Sequence, residues 1–184
     1  QLNPFETEWG FSCMGYEISG ALGIKMAKPY QEVVVFVGDG SYLLNNTDIY
    51  SSVIYDKKLI VIVCDNGGHM VINRLQLAKG GKEYICNLRS ARATNLQFVD
   101  FETHAKSMGA NAETVNSTSE LEAAYKRAKD SNKTYVITIK THGYEWLEGT
   151  AFWESPTLQE PITDNNKNAL KDFESGKSKQ RKGV

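Results

Sequence analysis

Two short runs of β-branched and aromatic residues, each cut off by an acidic loop carrying glycine, constrain most strongly how this chain can fold. Residues 32–37 run into Gly38-Asp39-Gly40, and residues 59–64 run into Asp65-Asn66-Gly67-Gly68. Val, Ile and Phe without polar alternation suit strands buried on both faces, as in parallel sheets. Residues 15–28 and 42–55 carry apolar side chains at helical spacing, and Pro29 ends the first of these helices. Further on, residues 70–77, 101–108 and 119–130 read as helices and residues 112–115 and 134–140 as strands. Residues 86–100 read as a loop or a short helix. This alternation predicts an α/β fold, a doubly wound and mainly parallel sheet with helices on both faces. After about Gly143 the pattern dissolves. The reading divides the chain into an α/β domain over residues 1–145 and an arm with a basic tail over residues 146–184.

Composition removes several function classes. With 21 Lys and Arg against 22 Asp and Glu, the net charge of −1 supplies no field for gripping nucleic acid. The longest apolar runs are too short to span a bilayer. Three scattered cysteines, Cys13, Cys64 and Cys86, give neither a disulfide framework nor a CxxC pair. No basic-then-apolar leader follows the opening Gln-Leu-Asn-Pro. These features predict a reduced, cytoplasmic domain with no membrane or nucleic-acid partner, cut from something longer.

Ligands of open α/β sheets bind beyond the carboxyl ends of the strands, where both acidic loops fall. Gly38, Gly40 and Ser41 would let backbone N–H groups approach an anion at the start of a helix. An aspartate in such a loop repels a phosphate directly, so Asp39 makes sense if a divalent cation bridges the two. Asn66 offers a neutral amide oxygen, and Gly67-Gly68 frees a carbonyl to turn inward. The implied ligand is a Mg²⁺–diphosphate group. A lone strand–GDG–helix turn is equally at home as a purely structural turn; the second loop is what favours the ligand. Leu43 stands where a dinucleotide-binding glycine fingerprint needs its third glycine. His69, His104 and His142 show no zinc-ligand spacing; His69 directly follows the second loop and either faces a substrate or, the reading preferred here, is a solvated loop residue. Cys13 reads as a small buried apolar residue.

Gly38-Asp39-Gly40, then 24 residues, then Asp65-Asn66 resembles the cofactor motif of thiamine-diphosphate-dependent enzymes. The stretch from Glu8 to Gly23 is similar to the segment preceding that motif in the same family. Within the family, the wording Ser12-Cys-Met-Gly-Tyr-Glu-Ile-Ser-Gly-Ala21 is most similar to hydrolases of inositol breakdown. Those enzymes open a cyclic 1,2-diketone by C–C cleavage, giving 5-deoxyglucuronate. The resemblance covers about residues 8–145 and implies the following roles. Asp39, Asn66 and the Gly68 carbonyl would bind Mg²⁺, and Gly38, Gly40 and Ser41 would hold the diphosphate of the thiamine diphosphate. Met14 would fill the angle between the cofactor's two rings, and the Ser12 carbonyl would accept from its aminopyrimidine. Asp65 departs from the family, which places an asparagine there. A required glutamate would come from the pyrimidine-binding domain of a partner subunit, since no segment here resembles that domain. The implied whole is a homo-oligomer acting on a polyhydroxylated diketone, and this chain alone would be inactive. Two alternatives remain open. One is the diphosphate-binding subunit of a two-chain 2-oxo-acid decarboxylase or acetolactate-synthase-like enzyme. The other is a non-catalytic α/β nucleotide- or partner-binding module.

Overall fold

A computed structural model describes residues 5–7, 11, 13–92, 94–146 and 158–179. The chain forms two units, residues 1–68 with 97–141 and residues 69–96 with 142–184. The first holds the sheet: β1 (Val34–Gly38), β2 (Ile60–Asp65), β3 (Asn111–Val115) and β4 (Tyr135–Lys140), all parallel in the order β1-β2-β4-β3. Among the described residues the last strand, β4, therefore sits inside the sheet, between β2 and β3. Its helices are α1 (Tyr16–Ala27), α2 (Asp39–Leu44), α3 (Thr47–Ile54), α5 (Phe101–Ser107) and α6 (Thr118–Asp130).

Helices lie on both faces. On one, Ile18 and Leu22 of α1, Tyr42 of α2, Ile49 of α3 and Phe101 and Ala105 of α5 pack on Val35, Val37, Val61, Val63 and Val136. On the other, Ala124 and Ala128 of α6 pack against Ile60, Ile62, Ile137 and Ile139. Small residues on α6 let its axis approach the isoleucines of the sheet closely. Side-chain caps define the starts of α5 and α6. Asp100 accepts the Thr103 N–H at 2.9 Å and Ser117 accepts the Glu120 N–H at 3.2 Å, each satisfying a donor the helix leaves unpaired.

Two sequence expectations need correction here. The β1 strand is an edge strand and is not buried on both faces, for Phe36 is 64% exposed. The helix expected over residues 42–55 is two helices, broken at Asn45 and Asn46. There Asn45 Nδ2 donates to Ser19 Oγ at 2.8 Å and Asn46 Nδ2 donates to the Tyr42 carbonyl at 3.1 Å. Asparagine amides that bond elsewhere compete with helical hydrogen bonding.

The second unit contains α4 (Met70–Ala78), a short 3-10 turn at Leu88–Ser90 and α7 (Asp164–Ser178). The helix α7 occupies a region whose apolar pattern had dissolved. It starts with a capping box in which Thr163 and Asn166 bond reciprocally. The Asn166 amide also donates to the carbonyls of Lys79 and Gly80, at 3.2 and 3.1 Å, which ties α7 to the end of α4. Lys177 and Lys179 belong to α7 and its cap; the rest of the expected basic tail lies outside the described residues. Among the described residues, no helix is long and apolar enough to cross a membrane.

Candidate cofactor site

The parallel pairing of β1 with β2 sets Gly38 opposite Cys64. Both strands therefore end at the same level, and the loops that follow emerge side by side. Asp39, the first residue after β1, is 2% exposed. Its Oδ2 accepts the Gly68 N–H at 2.6 Å and its Oδ1 accepts the Asn66 N–H at 3.4 Å. One carboxylate thus gathers the turn after β2 around itself. Gly67 and Gly68, at φ 86° and 140°, take backbone conformations that favour glycine, and this lets the turn fold back onto Asp39.

The Asn66 amide closes the arrangement. One of its two terminal atoms stands 2.8 Å from the Gly68 carbonyl oxygen and 3.0 Å from Asp39 Oδ1. With the nitrogen inward, the amide donates to both oxygens. With the oxygen inward, three oxygens converge, an arrangement that repels unless a cation sits among them. A carboxylate, an amide oxygen and a backbone carbonyl form the donor set a hard divalent cation takes. The electrostatics point the same way. Burial, and then the negative charge of Asp65, push the Asp39 carboxyl above its usual range, while the N–H groups of Gly68, Asn66 and Gly40 pull it back. A cation would relieve that opposition.

Asp65 turns away from this cluster. Its Oδ2 pairs with the Lys140 ammonium at the end of β4, and its Oδ1 accepts the Gly67 N–H at 3.2 Å. Its role is to hold the turn and share its charge with Lys140, whose partner position in the sheet is Asp65 itself. Sequence spacing alone does not reveal this pair, because it joins residues 75 apart.

Gly38, Gly40 and Ser41 lie at the entry of α2, with Gly40 buried and Ser41 half-buried. A side-chain carbon at Gly38 or Gly67 would meet nothing within 4 Å, so the space beside both loops is open. The helix α2 is fixed from below. Tyr42, fully buried, shares a 2.9 Å hydrogen bond with His104 Nδ1 and stacks edge-on against Phe101 at 5.1 Å. At its other end, a side-chain carbon on Gly15 would come within 3.0 Å of Asn45 Cβ. The turn carrying Met14 therefore lies against the junction of α2 and α3. Met14 itself is 41% exposed, and Cys13, read from sequence as buried, is exposed. Ser12 lies outside the described residues. His69 is half-buried with Nδ1 wholly enclosed, which departs from the solvated loop residue expected. His142 is exposed beside Glu145 at 3.7 Å.

Comparison with known proteins gives these loops a context. The chain is 40% identical over 149 residues to 3D-(3,5/4)-trihydroxycyclohexane-1,2-dione hydrolase of Halalkalibacterium halodurans, covering 78% of this chain and 23% of that protein. It is 36% identical over 170 residues to the hydrolase of the same name from Listeria monocytogenes, covering 92% of this chain and 26% of that protein. The chain thus spans about a quarter of the length of the curated relatives it matches. Among solved structures, the thiamine diphosphate-dependent 4-hydroxybenzoylformate decarboxylase of Rhodococcus jostii shares its fold. The TM-score there is 0.59 at 22% identity, over 70% of this chain and 23% of the other. Residues 2–139 match the family described as "Thiamine pyrophosphate enzyme, C-terminal TPP binding domain", and the chain belongs to that family.

Proposed function

We propose that this chain binds thiamine diphosphate through Mg²⁺ as part of an enzyme that hydrolyses a C–C bond of a cyclic 1,2-diketone. The observation that carries the binding role is the convergence of Asp39, Asn66 and the Gly68 carbonyl beyond two adjacent strand ends. The substrate follows from the relatives, whose name is trihydroxycyclohexane-1,2-dione hydrolase.

In this reading Asp39, the Asn66 amide oxygen and the Gly68 carbonyl hold the metal. Gly38, Gly40 and Ser41 receive the diphosphate at the entry of α2, where backbone N–H groups favour negative charge. Met14, an unbranched and polarizable side chain, supports the angle between the cofactor's rings, and the Ser12 carbonyl accepts from the aminopyrimidine. When bound, thiamine diphosphate supplies a nucleophilic carbon and takes up the electron pair of the breaking C–C bond. A glutamate from the pyrimidine-binding domain of a partner subunit completes the site, so this chain alone catalyses nothing.

The test measures thiamine diphosphate binding by calorimetry, with and without Mg²⁺, and conversion of the trihydroxylated diketone to 5-deoxyglucuronate by the whole protein. The reading requires Mg²⁺-dependent binding that Asp39→Ala abolishes. Binding indifferent to Mg²⁺ or to Asp39 would sink the cofactor role, and absence of cleavage by the loaded protein would sink the hydrolase role.

A further inference from the structure

Three successive backbone N–H groups of the loop after β2 end on carboxylate oxygens. Those of Asn66 and Gly68 donate to Asp39 Oδ1 and Oδ2 at 3.4 and 2.6 Å, and that of Gly67 donates to Asp65 Oδ1 at 3.2 Å. Two acidic side chains therefore shape one turn, yet only Asp39 faces the oxygens of Asn66 and Gly68. Asp65 is held aside through its other oxygen, which pairs with the Lys140 ammonium. Among the described residues, Lys140 is the only cation paired with either carboxylate.

The sheet fixes this pair. Asp65 and Lys140 are register partners across β2 and β4, and the Thr141 N–H donates to the Asp65 carbonyl at 2.9 Å. The Asp65 side chain is 8% exposed and that of Lys140 is 58% exposed. A buried carboxylate needs a compensating charge, and here a lysine stem reaching in from solvent brings it. The two acids also act on each other. Burial, and then the charge of Asp65, push the Asp39 carboxyl above its usual range, so Asp65 stands near enough to compete for a cation held by Asp39.

Divalent cations differ in what they ask of such a loop. Mg²⁺ demands octahedral geometry and binds through few carboxylates beside phosphates, whereas Ca²⁺ accepts roughly six to eight oxygens in irregular arrangements. With Asp65 tied to Lys140, the loop offers one carboxylate, one amide oxygen and one carbonyl, a set that suits Mg²⁺ beside a diphosphate. Once released, Asp65 would let go of the Gly67 N–H and loosen the turn that sets Asn66 and the Gly68 carbonyl. It would also bring a second carboxylate to the cation. Mg²⁺ loses its fixed geometry in that exchange, and Ca²⁺ gains a ligand. We propose that Lys140 is a positioning residue that keeps Asp65 out of the cation's coordination shell and so makes the site selective for Mg²⁺ over Ca²⁺. This rests on the cofactor role proposed above and names the residue that sets which metal serves it.

The test measures the Mg²⁺ and Ca²⁺ dissociation constants of the whole enzyme by calorimetry at saturating thiamine diphosphate. In Lys140→Met the Mg²⁺ constant is expected to rise about tenfold or more while the Ca²⁺ constant holds or falls, which moves the preference toward Ca²⁺. Lys140→Arg, which keeps the charge, should keep the ratio of the two constants. Combining Asp65→Asn with Lys140→Met removes the charge that needs compensation and leaves an oxygen for the Gly67 N–H, so the ratio should return to that of the unmutated enzyme. A lysine that merely supported the fold would weaken both cations alike; that result, or an unshifted ratio in Lys140→Met, overturns the positioning role. If Lys140→Met fails to fold, Lys140→Gln, which loses the charge but keeps a donor, decides by the same ratio. An unmutated enzyme that binds thiamine diphosphate equally well without a divalent cation overturns the cofactor role and the positioning role together. Cation-dependent binding with an unshifted ratio overturns the positioning role alone.

Discussion

Asp39 Oδ2 lies 2.6 Å from the Gly68 amide nitrogen, joining the loops after two adjacent strands across 29 residues of sequence. This bond aims the N–H of Gly68 at Asp39 and so sets where the carbonyls of the turn can point. Asp39→Asn keeps the shape but gives one of the two N–H groups a donor to face. We expect thiamine diphosphate affinity in saturating Mg²⁺ to fall by about 100-fold or more, read by calorimetry, with the fold retained by circular dichroism.

The Asn66 amide should report cation binding directly. Without a divalent cation its NH₂ group donates to Asp39 and the Gly68 carbonyl, which protects those hydrogens from exchange. Adding Mg²⁺ with thiamine diphosphate is expected to turn the oxygen inward and expose the NH₂ group. Side-chain amide spectra of ¹⁵N-labelled protein would show a large shift and faster exchange for Asn66. Unchanged resonances at saturating ligand would contradict the inward oxygen.

A buried relay holds β2 to the segment entering β4. Ser52 Oγ donates to the Ile49 carbonyl at 2.7 Å, Thr134 Oγ1 lies 2.7 Å from Ser52 Oγ, and the Leu59 N–H donates to Thr134 Oγ1 at 3.1 Å. Thr134→Val leaves the Leu59 N–H buried with no acceptor. The loss should be about 1–3 kcal/mol in urea unfolding, whereas Thr134→Ser, which keeps the oxygen, should cost distinctly less.

Glu113 provides a pH-dependent contribution away from the site. Arg127 grips both its oxygens, at 2.9 and 2.6 Å, and Tyr135 donates to one at 2.6 Å. The Arg127 hydrogen bonds, with help from Tyr135, hold the carboxyl below the ordinary glutamate value of 4.5. A depressed acid stabilises the fold above its unfolded pKa, and the stabilisation fades as pH falls through the folded one. Glu113→Gln should therefore lower the melting temperature at pH 7, with the gap to the unmutated protein closing below pH 4.5. A gap constant from pH 7 to 3 would refute the linkage.

Gly80 marks where α4 ends and α7 begins to dock. Its φ is 77°, and a side-chain carbon would come within 2.6 Å of the Asn165 backbone. Gly80→Ala must strain its own backbone and displace the start of α7. Destabilisation of more than about 1 kcal/mol is expected, with loss of hydrogen-exchange protection confined to the first turns of α7.

The strands were legible in the sequence because burial leaves a local mark. Residues 33–37 and 59–64 are apolar without interruption, and the strands found there start and end within a residue or two of the expected 32–37 and 59–64. The placement of Asp39 and Asn66 followed from two strand ends lying side by side. What escaped detection depends on distant partners. The uncovered side of β1 leaves no trace in a run where Phe36 looks like its neighbours. The role of Asp65 depends on Lys140, and the docking of α7 depends on the Lys79 and Gly80 carbonyls that Asn166 meets and on Lys79 lying over the Phe173 ring. His69 looked like a loop residue because its enclosure comes from chain folding around it. The Thr163–Asn166 box and the helical spacing of Ala169, Leu170 and Phe173 were signals of α7 that could have been read.

The strand order also dictates when the loop around Asp39 can form during synthesis. Among the described strands β4 comes last in sequence, yet it lies between β2 and β3. Until Lys140 leaves the ribosome, β2 presents an open apolar edge, the kind of surface that recruits other chains. Over the same interval the Asp65 carboxylate lacks its cationic partner. The loop that gathers around Asp39 is thus completed from its far side, and a nascent chain stopped before Lys140 carries every proposed metal ligand without the support that sets them.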